Sequence, residues 1–565
     1  IFISVNKLAG MGIDPKQLAS LLQSQNQIIN TGEISAGEQQ LRVVANGTYT
    51  TVNDIRSQII TTPGGQVKLG DIAIVEKGYM DPPGTIMHVN GKRAIGIGIS
   101  TDPQKDVVKT GELVDKRLAE LLPLIPVGLE LESLYPENVI AKEANNGFII
   151  NLIESILIVI VIIMLVMGLR AGVLIGSSLI FSIGGTLLIM SFLGVGLNRT
   201  SLAGFIIAMG MLVDNAIVVS DSALVNMERG MRKRVAIMRA CSSTALPLLA
   251  ATIIAILTFL PIYYSPHITG ELLSSLVIVI GVSLMFSWVF ALTQTPFFIQ
   301  EFVRRPRPEE LKAELFGGKL YECFRSTLRF VISHKFVTIC MLVLLLILSA
   351  WSFKFIPKVF VPSLDKQYFT IDMWLPEGTR IEETDKLAVH MADYIRQYPH
   401  TEVVSAYIGR TPPRYYLSNV AFGPQANYAQ LLVKCKTSRQ SRELHRILQD
   451  SIPEKYPEPF IKVNKFELSP LTEAVIEARF LGPDAAVLDS LTNVAIEIMR
   501  KNPKVAHARN EWGNMSMLIR PVYDPVKAGV LGITKTDMMK SVKSINDGLP
   551  VGIYRDNEKK VPVLL

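Results

Sequence analysis

The chain has 565 residues, 49% hydrophobic and 19% charged, with a formal net charge of +7. Charged residues fall below the roughly 25% of an average soluble protein, mean hydropathy is +0.32, and the apolar residues cluster between 148 and 298 with a further run at 336–350. A simple cytosolic globule, a disordered chain and a coiled coil are excluded, and four cysteines (Cys241, Cys323, Cys340, Cys435) do not make a disulfide scaffold.

The opening IFISVNKLAG reads as a strand in mid-domain, and the closing KKVPVLL reads as another. With no starting Met and no signal peptide, the chain is expected to be a fragment of a longer protein. Region 1–145 carries β-α-β patterning: alternation over 87–100 predicts a strand, apolar spacing over 105–125 an amphipathic helix, and 126–135 another strand.

Six runs have the ~20 apolar residues that a bilayer crossing needs: Phe148–Gly168, Gly172–Leu193, Leu202–Val225, Thr244–Ile262, Leu272–Phe298 and Phe336–Phe355. Arg229, Arg232, Lys233, Arg234 and Arg239 lie between spans three and four, and a second basic cluster, from Arg304 to Lys335, lies between spans five and six. The link YYSPHITGE between spans four and five has neither Lys nor Arg. Positive charge faces the cytoplasm, so both large polar regions, 1–145 and 357–565, are expected on the outer side. The basic excess then sets orientation, and no nucleic-acid partner is expected. On this reading Cys435 is the only cysteine of the outer regions and has no intramolecular partner. Segment 306–335 is basic and amphipathic, and is expected on the cytoplasmic membrane surface.

Beyond span six, QYFTIDMWLPEGT predicts a strand and turn, and RIEETDKLAVHMADYIRQYP an amphipathic helix. Similar units recur at AVIEARFLGPD and AAVLDSLTNVAIEIMRKNP. GIDPKQL at Gly12 aligns with GITKTDM at Gly532, and at that offset of 520 Asn26 meets Asn546 and Gly32 meets Gly552. The pattern suggests two homologous halves, an arrangement common in secondary transporters.

Span three reads LAGFIIAMGMLVDNAIVVSDSALVNM. An ionised carboxylate at the depth of Asp214 costs roughly 2.5–3.5 kcal/mol on the insertion scale, so it needs a job or a partner. Burial raises a carboxyl pKa and an adjacent cation lowers it, so such a group can load and release protons. The competing reading is a protonated structural aspartate bonded across helices. Asn215 supplies a neutral amide beside it, and Gly204, Ala208 and Gly210 permit close helix approach. Asp221 falls on the same face, ~10.5 Å along the axis, as a second relay group or a solvated interfacial carboxylate. Glu154 lies near an interface, while Asn198 and Arg199 are expected to cap and anchor span three. No Lys or Arg lies within the core of a span, so a counter-charge to Asp214 is expected on a helix outside this chain.

GMLVDNAIVV (210–219) resembles the fourth-helix signature of the resistance-nodulation-division (RND) transporters, in the hydrophobe/amphiphile multidrug efflux branch. The resemblance extends through 192–219, VFVPSLDKQYFTIDMWLPEGT (359–379) and KAGVLGITKTDMM (527–539), and covers essentially the whole chain. It implies a polytopic α-helical membrane protein with α+β periplasmic porter and docking subdomains, incomplete here. The implied divisions are 1–84, part of the first docking subdomain; 85–145, the end of the first porter region; 146–300, helices two to six; 301–335, the cytoplasmic amphipathic segment; 336–356, helix seven; 357–517, porter subdomains; and 518–565, the start of the second docking subdomain. It further implies a bacterial inner-membrane homotrimer, working with a periplasmic adaptor protein and an outer-membrane channel, driven by the proton-motive force without a cofactor. Many relatives carry two adjacent aspartates. The pair here is Asp214–Asn215, which leaves Asp214 as the single carrier, and Asp221 stands where a Glu is often seen.

Segment 405–425 is aromatic and rich in Gly and Pro, where the family has a mobile loop. Tyr407, Tyr415, Tyr416 and Phe422 are therefore candidate contacts for amphiphilic ligands, against the alternative of tyrosines packed locally. GTIMHVNGKR lacks phosphate-loop spacing, the seven histidines show no metal spacing with cysteine, and most methionines fit span packing. The expectation is a secondary transporter, not an enzyme: proton-coupled export of drugs, dyes or detergents. One proton crossing 100 mV supplies about 2.3 kcal/mol and each pH unit about 1.36 kcal/mol. The rivals are heavy-metal efflux and a non-transporting membrane scaffold or protein-translocation accessory.

Overall fold

A computed structural model of the chain describes residues 1–26, 30–36, 39–44, 49–62, 64–102, 105–167, 169–266, 268–303, 319–356, 363–416, 419, 421–467, 474, 476–503, 505 and 507–565. The first module contains β1 (Phe2–Ile3), α1 (Val5–Gly10), α2 (Pro15–Gln25), β2 (Asn30–Ala36), β3 (Gln39–Val44), α3 (Val52–Arg56), β4 (Ile59–Thr62), β5 (Gly65–Lys68), α4 (Leu69–Ile72) and β6 (Ala73–Ile74). The strand expected over IFISVNKLAG is confined to Phe2–Ile3, which pairs with β6. From Val5 the chain is helical, because a helix turns Leu8 into the core, where it is 3% exposed. Asp14 caps α2, accepting from the Lys16 amide at 2.9 Å, and Pro15 occupies the first turn, where a missing N–H costs nothing. Leu18, Leu22 and Leu69 form the centre of this core.

The next strand departs from expectation. Residues 87–100 do not form one strand: β7 (Ile86–Val89) folds back on β8 (Lys92–Arg93). Asn90 and Gly91 between them have φ of 49° and 80°, and an Asn-Gly pair with positive φ makes the tight turn whose twist suits a hairpin. α5 (Val107–Leu121) forms as expected. The strand expected over 126–135 does not, and Val127, Leu129 and Leu131 are exposed. A strand needs a ladder partner to be stable, and none of the described residues forms a ladder with this segment.

The apolar helices are α6 (Glu137–Met167), α7 (Leu169–Leu193), α8 (Arg199–Leu212), α9 (Asp214–Glu228), α10 (Lys233–Tyr263), α11 (Ile268–Leu292) and α12 (Gln294–Phe302). After them come α13 (Lys319–Ser333) and α14 (Lys335–Ser352). Among the described residues six stretches are long and apolar enough to cross a membrane: Glu137–Leu165, Ile175–Leu193, Arg199–Glu228, Lys233–Tyr263, Gly270–Phe302 and Lys335–Phe355. Spans one and four begin at residues 137 and 233 rather than 148 and 244, because polar first turns continue the same helices. Spans three and five are each broken, at Val213 and Thr293. Spans two, three and five build the core around Leu179, Phe205, Leu212 and Ile280. Of the basic segment 306–335, residues 306–318 lie outside the described residues, and α13 covers most of the rest.

Beyond span six come β9 (Tyr368–Trp374), α15 (Ile381–Arg396), β10 (Thr401–Ile408), β11 (Tyr428–Cys435), α16 (Ser438–Lys455) and β12 (Phe460–Lys465). They build a six-stranded antiparallel sheet in the order β12-β9-β11-β10-β7-β8, so the hairpin from the first polar region completes the sheet of the second. Side chains alternate between faces. Phe369, Ile371 and Met373 point to the helices and pack with Met391, Ile395 and Leu448, while Thr370, Asp372 and Trp374 occupy the opposite face. α17 (Ala485–Arg500) forms where its pattern predicts. AVIEARFLGPD carries no strand at its described residues, and Ile476 and Leu481 stand exposed with no ladder partner.

The last module is α18 (Pro525–Val530), α19 (Lys535–Asn546), β13 (Pro550–Asp556) and β14 (Lys559–Leu564). The offset of 520 carries α1 onto α18, β2 onto β13 and β3 onto β14, and α2 onto α19 to within one residue. Gly12 and Gly532 share a φ of 67° and 68°. The duplication suggested by a few matched residues is thus a repeat of four elements. The two copies pack together: Asn26 exchanges two hydrogen bonds with the Ile553 backbone, at 3.0 and 2.7 Å, and Val551 and Val563 enter the first module's core.

Candidate functional site

Span three is interrupted at Val213, just before its adjacent polar pair Asp214–Asn215. α8 ends at Leu212, and the Ser287 hydroxyl of α11 donates to the Leu212 carbonyl at 2.6 Å. A side chain entering the helical ladder in this way is a recognised cause of a break. Asn215 lies one turn on and is 6% exposed. Its amide donates to the Ser287 hydroxyl at 3.1 Å and to the Thr252 hydroxyl of α10 at 3.4 Å. Three apolar helices are therefore tied at one polar knot. A second knot lies between α7 and α11, where the Thr186 hydroxyl donates to the Ser182 carbonyl at 2.7 Å and meets the Ser283 hydroxyl at 3.1 Å.

Asp214 takes no part in either knot. It begins α9 on the side turned away from the bundle core, exposed together with Ile207, Gly210, Val218 and Asp221. These residues, spaced three and four apart, make one stripe along span three that none of the described residues covers. Asp221 is on the same stripe as Asp214, whereas Asn215, adjacent in sequence, points inward and serves as a tether.

Of the three small residues, two bring helices together. A Cβ on Gly204 would lie 3.0 Å from the Leu276 carbonyl oxygen and 3.2 Å from the Val279 Cβ, and Ala208 is fully buried. Gly210 has nothing within 4 Å of its Cβ position, so it borders Asp214 on the open face and does not mediate close approach among the described residues. Because backbone atoms oppose Gly204, Gly204→Val is expected to cost about 1–3 kcal/mol through overpacking. It should appear as a lowered melting temperature in detergent, and an unchanged one would disprove the tight contact.

Asn198 caps α8 reciprocally, with Ser201 N to Asn198 Oδ1 at 2.8 Å and Asn198 N to Ser201 Oγ at 2.9 Å. Arg199 meets Glu137, the first residue of α6, at 3.7 Å. Glu154 is exposed on α6.

The aromatic candidates sit on the sheet face away from the helices. Tyr407, Tyr415 and Tyr416 pack with Tyr135, Tyr368 and Phe466, and the Tyr415 hydroxyl is buried without a partner among the described residues. Phe422 contacts Tyr428 and Trp374 at ring distances of 5.1 and 5.8 Å. The guanidinium of Arg509 lies 4.4 Å from the Trp374 ring centre. Between these groups Asp372 accepts from Tyr428 Oη at 2.6 Å, Gln430 Nε2 at 2.7 Å and Asn464 Nδ2 at 2.6 Å. Burial raises its carboxyl pKa, and these three donors oppose the rise. Among the described residues no three His, Cys, Asp or Glu side chains gather as a metal site requires.

Sequence reasoning missed Thr252, Ser283 and Ser287. The available signal was hydroxyl residues four apart inside an apolar helix, as at Ser283 and Ser287, since such groups bond across helices. The family model described as the AcrB/AcrD/AcrF family matches residues 1–565.

Proposed function

The chain belongs to the AcrB/AcrD/AcrF family of RND efflux transporters, and we propose that it exchanges protons for hydrophobic or amphiphilic compounds as the inner-membrane component of a three-part pump. The observation that carries this reading is Asp214, a carboxyl at mid-span on the open stripe of span three with no partner among the described residues, beside a break held by Ser287. A protonated Asp214 is tolerated in an apolar environment, whereas its ionised form demands a counter-charge or water. Each protonation change therefore alters what that face of the helix can pack against. Asp221 extends the stripe toward the cytoplasmic end, and Asn215 holds the break in register and carries no proton.

Membership of the family supports the remaining parts of this proposal. Residues 1–84 and 518–565 act in docking, 85–145 and 357–517 act as porter regions on the periplasmic side, and three copies assemble with an adaptor and an outer-membrane channel. The ligand face is the aromatic surface around Tyr407, Tyr415, Tyr416 and Phe422. Energy comes from the proton gradient alone, with no cofactor.

The full-length protein in proteoliposomes tests the reading. An imposed pH gradient should drive movement of ethidium, a cationic amphiphilic dye, and a protonophore should stop it. Gradient-driven movement of copper or silver without ethidium would favour metal efflux, and movement of neither would favour a scaffold.

A further inference from the structure

One lysine stands where the membrane helices meet the sheet. Tyr135 precedes span one and Ile140 lies in its first turn, and both enter the aromatic cluster on the sheet's open face with Tyr368, Phe466 and Tyr416. Lys366, just before β9, donates its Nζ to Tyr135 Oη at 2.9 Å. The same ammonium lies 3.8 Å from the Tyr416 ring centre and 5.7 Å from that of Phe466. Its backbone is held on the sheet, with Leu364 N donating to Phe466 O at 2.7 Å and Lys366 N to Leu364 O at 3.1 Å. Half-burial lowers the Lys366 pKa to about 8, against the raising influence of Glu137.

The contacts continue into the membrane. Two residues after Tyr135, Glu137 begins α6 and pairs with Arg199, the first residue of α8. From Arg199 the helices run ~22 Å along the axis to Asp214. On the other side, Asn419 donates its backbone N–H to the Tyr416 carbonyl at 3.2 Å and accepts from Gln430 Nε2 at 3.2 Å, which joins Tyr416 to β11. A cation over an aromatic face is attracted by the ring quadrupole, and a hydrogen bond adds direction. Ring packing alone supplies neither and lets two surfaces slide.

We propose that Lys366 is a positioning residue that clamps Tyr135, at the head of the membrane helices, to Tyr416, so that displacement of the Arg199–Glu137 pair is carried to Tyr416 on the open face of the sheet. The inference rests on Asp214 as the proton carrier. It assigns the joint between that carrier and the ligand face to one side chain.

The test uses the full-length protein in proteoliposomes with a pH gradient, reading kcat and KM for ethidium, its Kd by fluorescence, and the melting temperature. Lys366→Met keeps length and bulk but loses the charge, and is expected to lower kcat about tenfold or more, since small misplacements act on this scale, with KM and Kd unchanged. Lys366→Arg should restore most of kcat. Tyr135→Phe, which deletes only the acceptor, should give a smaller loss in the same direction without unfolding. Wild-type kcat in Lys366→Met overturns the inference. So does a matching loss of ethidium Kd, which would make Lys366 a binding residue, and so does equal loss in Lys366→Arg. Unimpaired transport by Asp214→Asn would remove the proton-carrier reading by itself and the inference with it.

Discussion

Asp214→Asn is expected to abolish gradient-driven ethidium transport while leaving the membrane helices assembled. The substitution keeps the shape of the side chain and removes only its ability to ionise. Among the described residues nothing hydrogen-bonds to or pairs with Asp214, so no contact of the helix bundle is lost. A neutral amide is also cheaper at bilayer depth than a carboxylate, so melting should be unchanged or slightly raised. The transport rate should fall ~100-fold or more, the scale on which loss of a proton-transfer group acts. Asp221→Asn should do less, because Asp221 lies toward the span's end, where water can substitute for it. An Asp214→Asn protein that still moves ethidium at the normal rate would return this residue to a structural role.

The largest stability loss is expected at Asp372 and not in the membrane. Its carboxylate satisfies Tyr428, Gln430 and Asn464 at once, and it is 6% exposed. Asp372→Leu leaves three donors without an acceptor. Each orphaned buried donor costs about 1–3 kcal/mol, so the sum is about 3 kcal/mol or more. The loss should be read as lowered resistance of the sheet to chemical denaturation, with local loss of amide protection on β9, β11 and β12. Protection equal to wild type would mean that water reaches these donors and the site is open. Asp372→Asn should fall between, because the amide keeps one acceptor but turns N–H groups toward other donors.

Much of the architecture was legible before any coordinates. Six apolar runs gave six helical spans, since an apolar stretch of that length has no other stable form in a bilayer. The repeat was visible in Gly12 and Gly532, because a positive φ at a fixed place in a turn admits few residues besides glycine. Asp214 stood out for its cost at depth. Failures came where a segment's state depended on a distant partner. Residues 95–100 and 126–135 alternate like strands, yet form no strand ladder with any of the described residues. β7 found its ladder on β10, with Val89 opposite Ser405. The tyrosines at 415 and 416 pack against Tyr135, a contact across some 280 residues that no local pattern announces.

Local patterns therefore determined the helices, the repeated module and the carboxyl at mid-span, since periodicity, turn chemistry and the cost of a buried charge are properties of neighbouring residues. Only the tertiary structure decided that Asn215 faces inward to Thr252 and Ser287 while Asp214 faces out. Adjacent residues on a helix differ by about 100° in direction. Which direction is covered depends on helices that arrive from elsewhere in the chain, and the hydroxyls that make a buried amide tolerable belong to those helices.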